Sequence, residues 1–171
     1  SRGLGDVYKR QALLVTSSFG IYSLFDTPSS QQMITANVKP GSKSEIILPD
    51  GTKVQLNGAT TIRYDINDTE QRLVHLSGEA FFDVAKKPDC PFRVMVNDFQ
   101  IEVLGTSFNV QDYPENKDIV VCLDEGNINL TLPTEKKYPV QPGERLVYNK
   151  DNQQCTISKM NDMQRLSMWK Q

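Results

Sequence analysis

The residues of this chain that could carry out chemistry are few and poorly grouped. His75 is the single histidine, and its Val-His-Leu context places it on one side of a strand with Leu73 and Ser77. A general base or a metal ligand needs partners at motif spacing, and none accompanies it, so a structural or surface role follows. Ser77 and Ser107 lack the glycine-flanked elbow that activates a hydrolase serine. Glu79 and Asp83 are four residues apart. On a strand they face the same way, which makes a paired-carboxylate hydrolase conceivable, although a solvated or hydrogen-bonded pair is the simpler reading. Cys90, Cys122 and Cys155 are too widely spaced for a CxxC redox or zinc motif, and their odd number allows at most one internal bridge. Cys122 lies inside the apolar run Ile119–Leu123 and reads as a buried free thiol. Gly51, Gly78, Gly105 and Gly126 are scattered and form no phosphate loop. The expectation is a chain without catalytic residues, metal site or cofactor.

The elements that hold these residues are strands. From Leu73 to Val110 apolar side chains fall at every second position: Val74 and Leu76, Ala80, Phe82 and Val84, Phe92, Val94 and Val96, Ile101 and Val103, Phe108 and Val110. A period of two lines one side of a pleated strand. Breaks at Ser77-Gly78, Asn97-Asp98 and Leu104-Gly105 are expected to cut the run into strand-length pieces. Phe81 and Phe82 are adjacent and must point to opposite faces, so both faces are covered there, as in a sandwich.

Hairpins surround this block. Ile34–Val38 and Ser44–Leu48 are strand-like, and Leu48-Pro49-Asp50-Gly51-Thr52 is the clearest hairpin signal, with Pro presetting φ, Asp bonding its own backbone and Gly accepting positive φ. Thr61–Ile66 follows as a strand, Ile119–Leu123 and Asn127–Leu132 as a hairpin around Asp124-Glu125-Gly126, and Arg145–Tyr148 and Cys155–Ile157 as further strands, with turns about every 8–12 residues, the cadence of a sandwich or barrel. Leu76-Ser77-Gly78 and Leu123-Asp124-Glu125-Gly126 repeat one short pattern, too briefly for a solenoid. Helical spacing appears only at the end, where Met160, Met163, Leu166 and Trp169 recur at threes. The predicted fold is all-β, an antiparallel two-layer β-sandwich of jelly-roll type over residues 33–158. Residues 159–171 read as the start of a linker or helix toward a further domain.

Composition sets bounds on function. A net charge of −2, from 19 basic and 21 acidic residues, gives no basic stripe for nucleic acid. The first residues, SRGLGDVYKRQ (1–11), resemble translated adaptor DNA and are set aside. Residues 12–25, ALLVTSSFGIYSLF, carry no charge but fall short of the ~20 residues of a spanning helix. A truncated transmembrane helix is preferred there over part of a signal sequence or a buried element. Residues 26–32 read as a polar linker.

Several motifs together carry a family resemblance. Glu45–Asn57, with Pro49, Asp50 and Gly51, resembles the LPDGTxVxLN segment of FecR-family proteins, and Leu76–Val84, with Gly78, Glu79 and Phe82, is similar to their LxGEAxFxV segment. Pro91-Phe92-Arg93-Val94 and Val103–Val110, with Gly105, Thr106 and Phe108, resemble PFxV and VLGTxFNV. Gly126 and Pro142-Gly143 fit the later LxEGxV and PGE positions. The resemblance spans residues 33–158 and has a Bacteroidetes flavour. It implies the periplasmic part of a single-pass inner-membrane anti-sigma factor. Such a protein relays a signal from a TonB-dependent outer-membrane transducer to an ECF-type sigma factor, for iron-chelate or glycan uptake. The cytoplasmic sigma-binding segment of that family is missing from this sequence. A glycan-binding β-sandwich of the cell envelope is the alternative.

Overall fold

The computed structural model describes residues 32–65 and 71–169. The leading peptide, the apolar run at 12–25, nearly all of the 26–32 linker and the Asn67-Asp68 turn lie outside the described residues. Among the described residues no helix is long and apolar enough to cross a membrane.

In chain order the strands are β1 (Met33–Val38), β2 (Ser44–Ile47), β3 (Lys53–Leu56), β4 (Thr60–Asp65), β5 (Leu73–Asp83), β6 (Phe92–Val96), β7 (Phe99–Val103), β8 (Ser107–Asp112), β9 (Asp118–Glu125), β10 (Ile128–Thr131), β11 (Lys137–Val140), β12 (Glu144–Asn149) and β13 (Cys155–Lys159). A single helix, α1 (Asp162–Trp169), follows. The strands form two layers. The first runs β11-β10-β7-β6-β5-β4-β1 and the second β2-β3-β5-β8-β9-β12-β13. Consecutive hairpins alternate between the layers: β6–β7 in the first, β8–β9 in the second, β10–β11 in the first, β12–β13 in the second. All pairings are antiparallel except β5 with β6, which run parallel through Leu73↔Arg93 to Leu76↔Val96.

Strand β5 belongs to both layers. Its first half pairs with β4 up to Ser77, and its second half pairs with β8 from Gly78 onward. The sequence reading of Ser77-Gly78 as a strand break is therefore corrected: Gly78 is a bend inside one 11-residue strand. Only glycine fits this bend. Its φ is +111°, and an added Cβ would lie 2.5 Å from Thr60 Oγ1 and 2.7 Å from Thr60 Cα. Thr60 fastens the corner, its hydroxyl donating to the carbonyl of Glu79 while accepting from the Glu79 amide.

The same stitch recurs where β9 leaves the second layer for β10, so the hairpin expected around Asp124-Glu125-Gly126 is corrected: β9 pairs with β8 and β12, β10 with β7 and β11, and the turn between them is a corner from one layer to the other. Gly126 has φ +96°, a Cβ there would meet Thr106 Oγ1 at 2.5 Å, and Thr106 donates to the carbonyl of Asn127. In both cases a buried threonine bonds the carbonyl just after a glycine with positive φ. The short Leu…Gly repeat in the sequence thus marks two corners of one construction. Neighbouring corners stack on the second of them: Val84 donates to Thr106, Lys87 to Leu104 and Gly143 to Leu123, all through backbone groups.

Side chains from both layers meet in one core. Phe82 of the second layer lies 6.0 Å from Phe92 of the first and stacks on Phe108 at 5.2 Å, and Phe99 meets Tyr148 edge-on at 4.6 Å. Each such buried large apolar side chain contributes about 1.5–3 kcal/mol. Phe81 faces the other way, as its adjacency to Phe82 requires. It joins Val120, Cys122 and Met168 in a second, smaller cluster on the outer face of the second layer.

Two further differences from the sequence reading concern the end of the chain. Strand β11 was not anticipated, because Pro139 and Lys137 disguise a short edge strand. In α1 two of the residues at threes are not buried: Met163 is 78% and Leu166 52% exposed, whereas Met168, off that spacing, is 2% exposed. The patch available to the helix is only as wide as Phe81, Val120 and Cys122, and Met160 and Met168 reach it from either end of the segment. Asn161 starts the helix by accepting from the amide of Gln164, whose side chain accepts in return from the amide of Asn161.

Candidate functional site

Three polar arrangements and one groove stand out. The first centres on Asp50 in the β2–β3 turn. Gly51 N donates to Leu48 O, closing the turn, and one Asp50 carboxylate oxygen accepts from Thr52 N. The other, Oδ2, accepts from the Thr52 hydroxyl and from Arg72 Nε at 2.9 Å. The Arg72 side chain is fully buried. It donates through its other two nitrogens to the carbonyls of Cys90 and Ala85 and lies 5.3 Å from the centre of the Phe92 ring. One guanidinium thus joins the β2–β3 turn, the start of β5 and the β5–β6 loop. Its fork geometry suits this, since several fixed carbonyls need donors at once.

The second arrangement is built on Glu79. Its two carboxylate oxygens accept separately from Asn109 Nδ2 at 3.0 Å and Asn57 Nδ2 at 2.9 Å. Tyr113, whose hydroxyl donates to Gly58 O, closes the group, and burial followed by the Glu79 charge pushes its phenol pKa up. Asp83 is exposed and accepts from Ser107 Oγ. The two carboxylates singled out as a hydrolytic pair therefore serve different hydrogen bonds and share no site. His75 is exposed on β5 opposite Arg63 and Met95. The third arrangement joins Asp112 to Asn97 at 2.6 Å and to Lys150 at 2.6 Å, tying the β6–β7 turn to the ends of β8 and β12. Each arrangement locks neighbouring elements together.

The family-motif residues fall into clear places. Phe82, Phe92 and Phe108 fill the main core, and Thr106 and Gly126 form one corner stitch. Gly78 makes the other, and Asp50 and Glu79 anchor the first two polar groups. Pro49 and Gly51 shape the exposed turn, Pro91 precedes β6, and Pro142-Gly143 shape the β11–β12 corner. Gly105 sits against Lys86, which an added Cβ would strike. Arg72 is the residue that sequence reasoning missed.

The three cysteines are unbridged. Cys122 is buried opposite Asn109 and Arg145. Burial pushes its thiol from 9.0 to about 11, against the pull of Arg145 and with a further push from Glu79. Two pH units mean about 100-fold less thiolate at pH 8 than in the unfolded chain. Cys122 is therefore expected to react with iodoacetamide at least ~100-fold more slowly in the native protein than in urea, as peptide mass spectrometry would measure. Equal rates would refute its burial. The same shift makes the folded state lose ground as pH rises from 9 toward 11, because the unfolded thiol ionises first.

Among the described residues no group of three His, Cys, Asp or Glu side chains could hold a metal ion. An open groove of about 440 Å³ lies along the corner stack, between Lys86, Pro88, Leu104, Thr106, Glu125 and Asn129. It has the size of a ligand site but no aromatic side chain on which a sugar ring could stack.

A family model described as "FecR protein" matches residues 34–129. No curated protein matches the chain. Two crystal structures from Parabacteroides distasonis ATCC 8503, both of a protein described as a candidate anti-sigma factor, share the fold. One, at 1.65 Å resolution, is 34% identical with a TM-score of 0.75 over 81% of this chain. The other, at 2.50 Å, is 33% identical with a TM-score of 0.76 over 82%. The chain spans 65% of the length of each.

Proposed function

Because the chain belongs to the FecR family, with residues 34–129 matched by the family model, we propose that it is the sensing part of a single-pass inner-membrane anti-sigma factor. The role is regulatory and non-enzymatic. In this reading the sandwich stands in the periplasm, receives a signal from a TonB-dependent outer-membrane transducer, and controls an ECF-type sigma factor on the other side of the membrane. The observation that carries the reading is the family match, seconded by the likeness at 33–34% identity to structures described as candidate anti-sigma factors. The buried chemistry agrees with it. Asp50, Arg72, Glu79 and Asp112 spend their hydrogen bonds on neighbouring side chains and on the backbone, which makes a stiff adaptor.

Edge strands suit such an adaptor, because an exposed edge accepts a partner's strand through main-chain hydrogen bonds. The transducer's periplasmic domain is the partner proposed for an edge of this sandwich or for a domain beyond its C-terminal helix. The test is genetic. Removing residues 33–158 from the encoded protein in its own host is expected to abolish induction of a sigma-dependent reporter by the transducer's ligand. Undiminished induction in that deletion strain would refute the proposal.

A further inference from the structure

We propose that β1 is the surface through which two copies of this chain associate, edge to edge, in an antiparallel pair centred on Ala36. The two layers present four outer strands: β1 and β11 on the first, β2 and β13 on the second. Open edges invite unwanted pairing, and natural sheets blunt them with charge, proline or shortness. Three of these edges are blunted. Strand β11 has Lys137 and Pro139 in four residues, β2 has four residues and Glu45, and β13 has Lys159. Strand β1, Met-Ile-Thr-Ala-Asn-Val, is the longest of the four and carries neither charge nor proline. Among the described residues it pairs on one side only, with β4. Its inward-facing Ile34, Ala36 and Val38 remain half-buried, although Ala36 and Val38 already pack against the main core. A further strand alongside would complete their burial.

The pattern of β1 fits a second copy of itself. Directly opposed residues in an antiparallel ladder point to the same face. A two-fold axis through Ala36 satisfies this: Ile34 opposes Val38 of the second copy on the core side, and Thr35 opposes Asn37 on the outer side. Met33 then opposes Lys39. Asp65 is the register partner of Met33 on β4, so it shares a row with Lys39 of the second copy. These opposite charges lie about 10 Å apart, two strand spacings, and the symmetry provides the pair twice. With no charge in the strand, the axis brings no like charges face to face. The first layer then continues across the axis into the first layer of the other copy.

The test uses the full chain. Wild type is expected to show a concentration-dependent dimer by sedimentation equilibrium. Thr35→Lys, an exposed change on the outer face beside Arg63 of β4, is expected to raise the dissociation constant about tenfold or more, while the monomer still unfolds cooperatively within a few degrees of the wild-type monomer when both are melted far below that constant. Under mild oxidation Ala36→Cys is expected to form a disulfide between the introduced thiols of two copies, identified by mass spectrometry of the linked peptides. Met33→Cys, which does not face itself, is expected to form none. A wild type that stays monomeric, a dimer unaffected by Thr35→Lys, or an Ala36→Cys variant whose new thiol links only to the native cysteines would overturn the proposal. Cross-linking of that thiol to a different protein of the envelope, with no homodimer, would overturn it in favour of a foreign strand.

Discussion

Gly78→Ala is expected to cost this domain about 2–6 kcal/mol, a large part of the roughly 5–15 kcal/mol by which such domains are stable. Two effects add. At φ +111° a side chain is strained wherever it sits, at ~1–3 kcal/mol. The new Cβ would also lie 2.7 Å from Thr60 Cα, which is backbone and cannot rotate away. Relieving that overlap by shifting β4 costs a further ~1–3 kcal/mol, as overpacking usually does. The comparison that isolates the steric part is Gly51→Ala. Its φ is +89° but nothing lies within 4 Å of the added carbon, so only the backbone strain remains. Thermal unfolding should separate the two, with a fall of about 10 °C or more for Gly78→Ala and a few degrees for Gly51→Ala. Similar falls in both variants would show that the corner is not packed as described.

The second large effect is expected at the buried ion pair. Arg72→Met leaves the Asp50 carboxylate, 4% exposed, without its cation, and strips donors from the carbonyls of Ala85 and Cys90. Breaking a buried pair from one side typically costs ~3–5 kcal/mol. Asp50→Ala should cost a similar amount, because it leaves the guanidinium uncompensated and removes the acceptor of Thr52. The double variant should cost clearly less than the sum, since an apolar replacement of both partners removes the buried charge altogether. Urea denaturation of the four proteins of this cycle measures the coupling. Because the pair is shut away from ions, the result should hold from low salt to about 1 M NaCl. Strict additivity, or a loss that vanishes in salt, would contradict the geometry.

What could be read from the sequence was what is local. The Pro49-Asp50-Gly51 turn, the alternation through Phe82, Phe92 and Phe108, and the opposite facing of Phe81 and Phe82 depend on neighbours in the chain. The structure has all of them. The corners were not legible, because a glycine that ends a strand and a glycine that bends one look alike until the partner is known. For Gly78 that partner is Thr60, and for Gly126 it is Thr106. Arg72 gave no signal at all. Its partners Asp50, Cys90 and Ala85 lie 22, 18 and 13 residues away, and a buried arginine has no period or motif of its own. The stripe at Met163 and Leu166 misled for a related reason: spacing shows which residues share a helix face, and only the surface beneath decides whether that face is used.

Strand β5 also fixes how load passes through the domain. The described chain enters at β1, on the rim of the first layer, and its last strand, β13, is the rim of the second, before α1 folds back onto Phe81, Val120 and Cys122. Tension between those two rim strands would travel across the ladders between them, and the one strand common to both layers is β5. Force reaching it would slide its halves along their neighbours, loading many hydrogen bonds in parallel instead of peeling them one by one. A sandwich wired this way resists stretching as a single body, and it would pass a pull from one end to the other with little of the motion absorbed between.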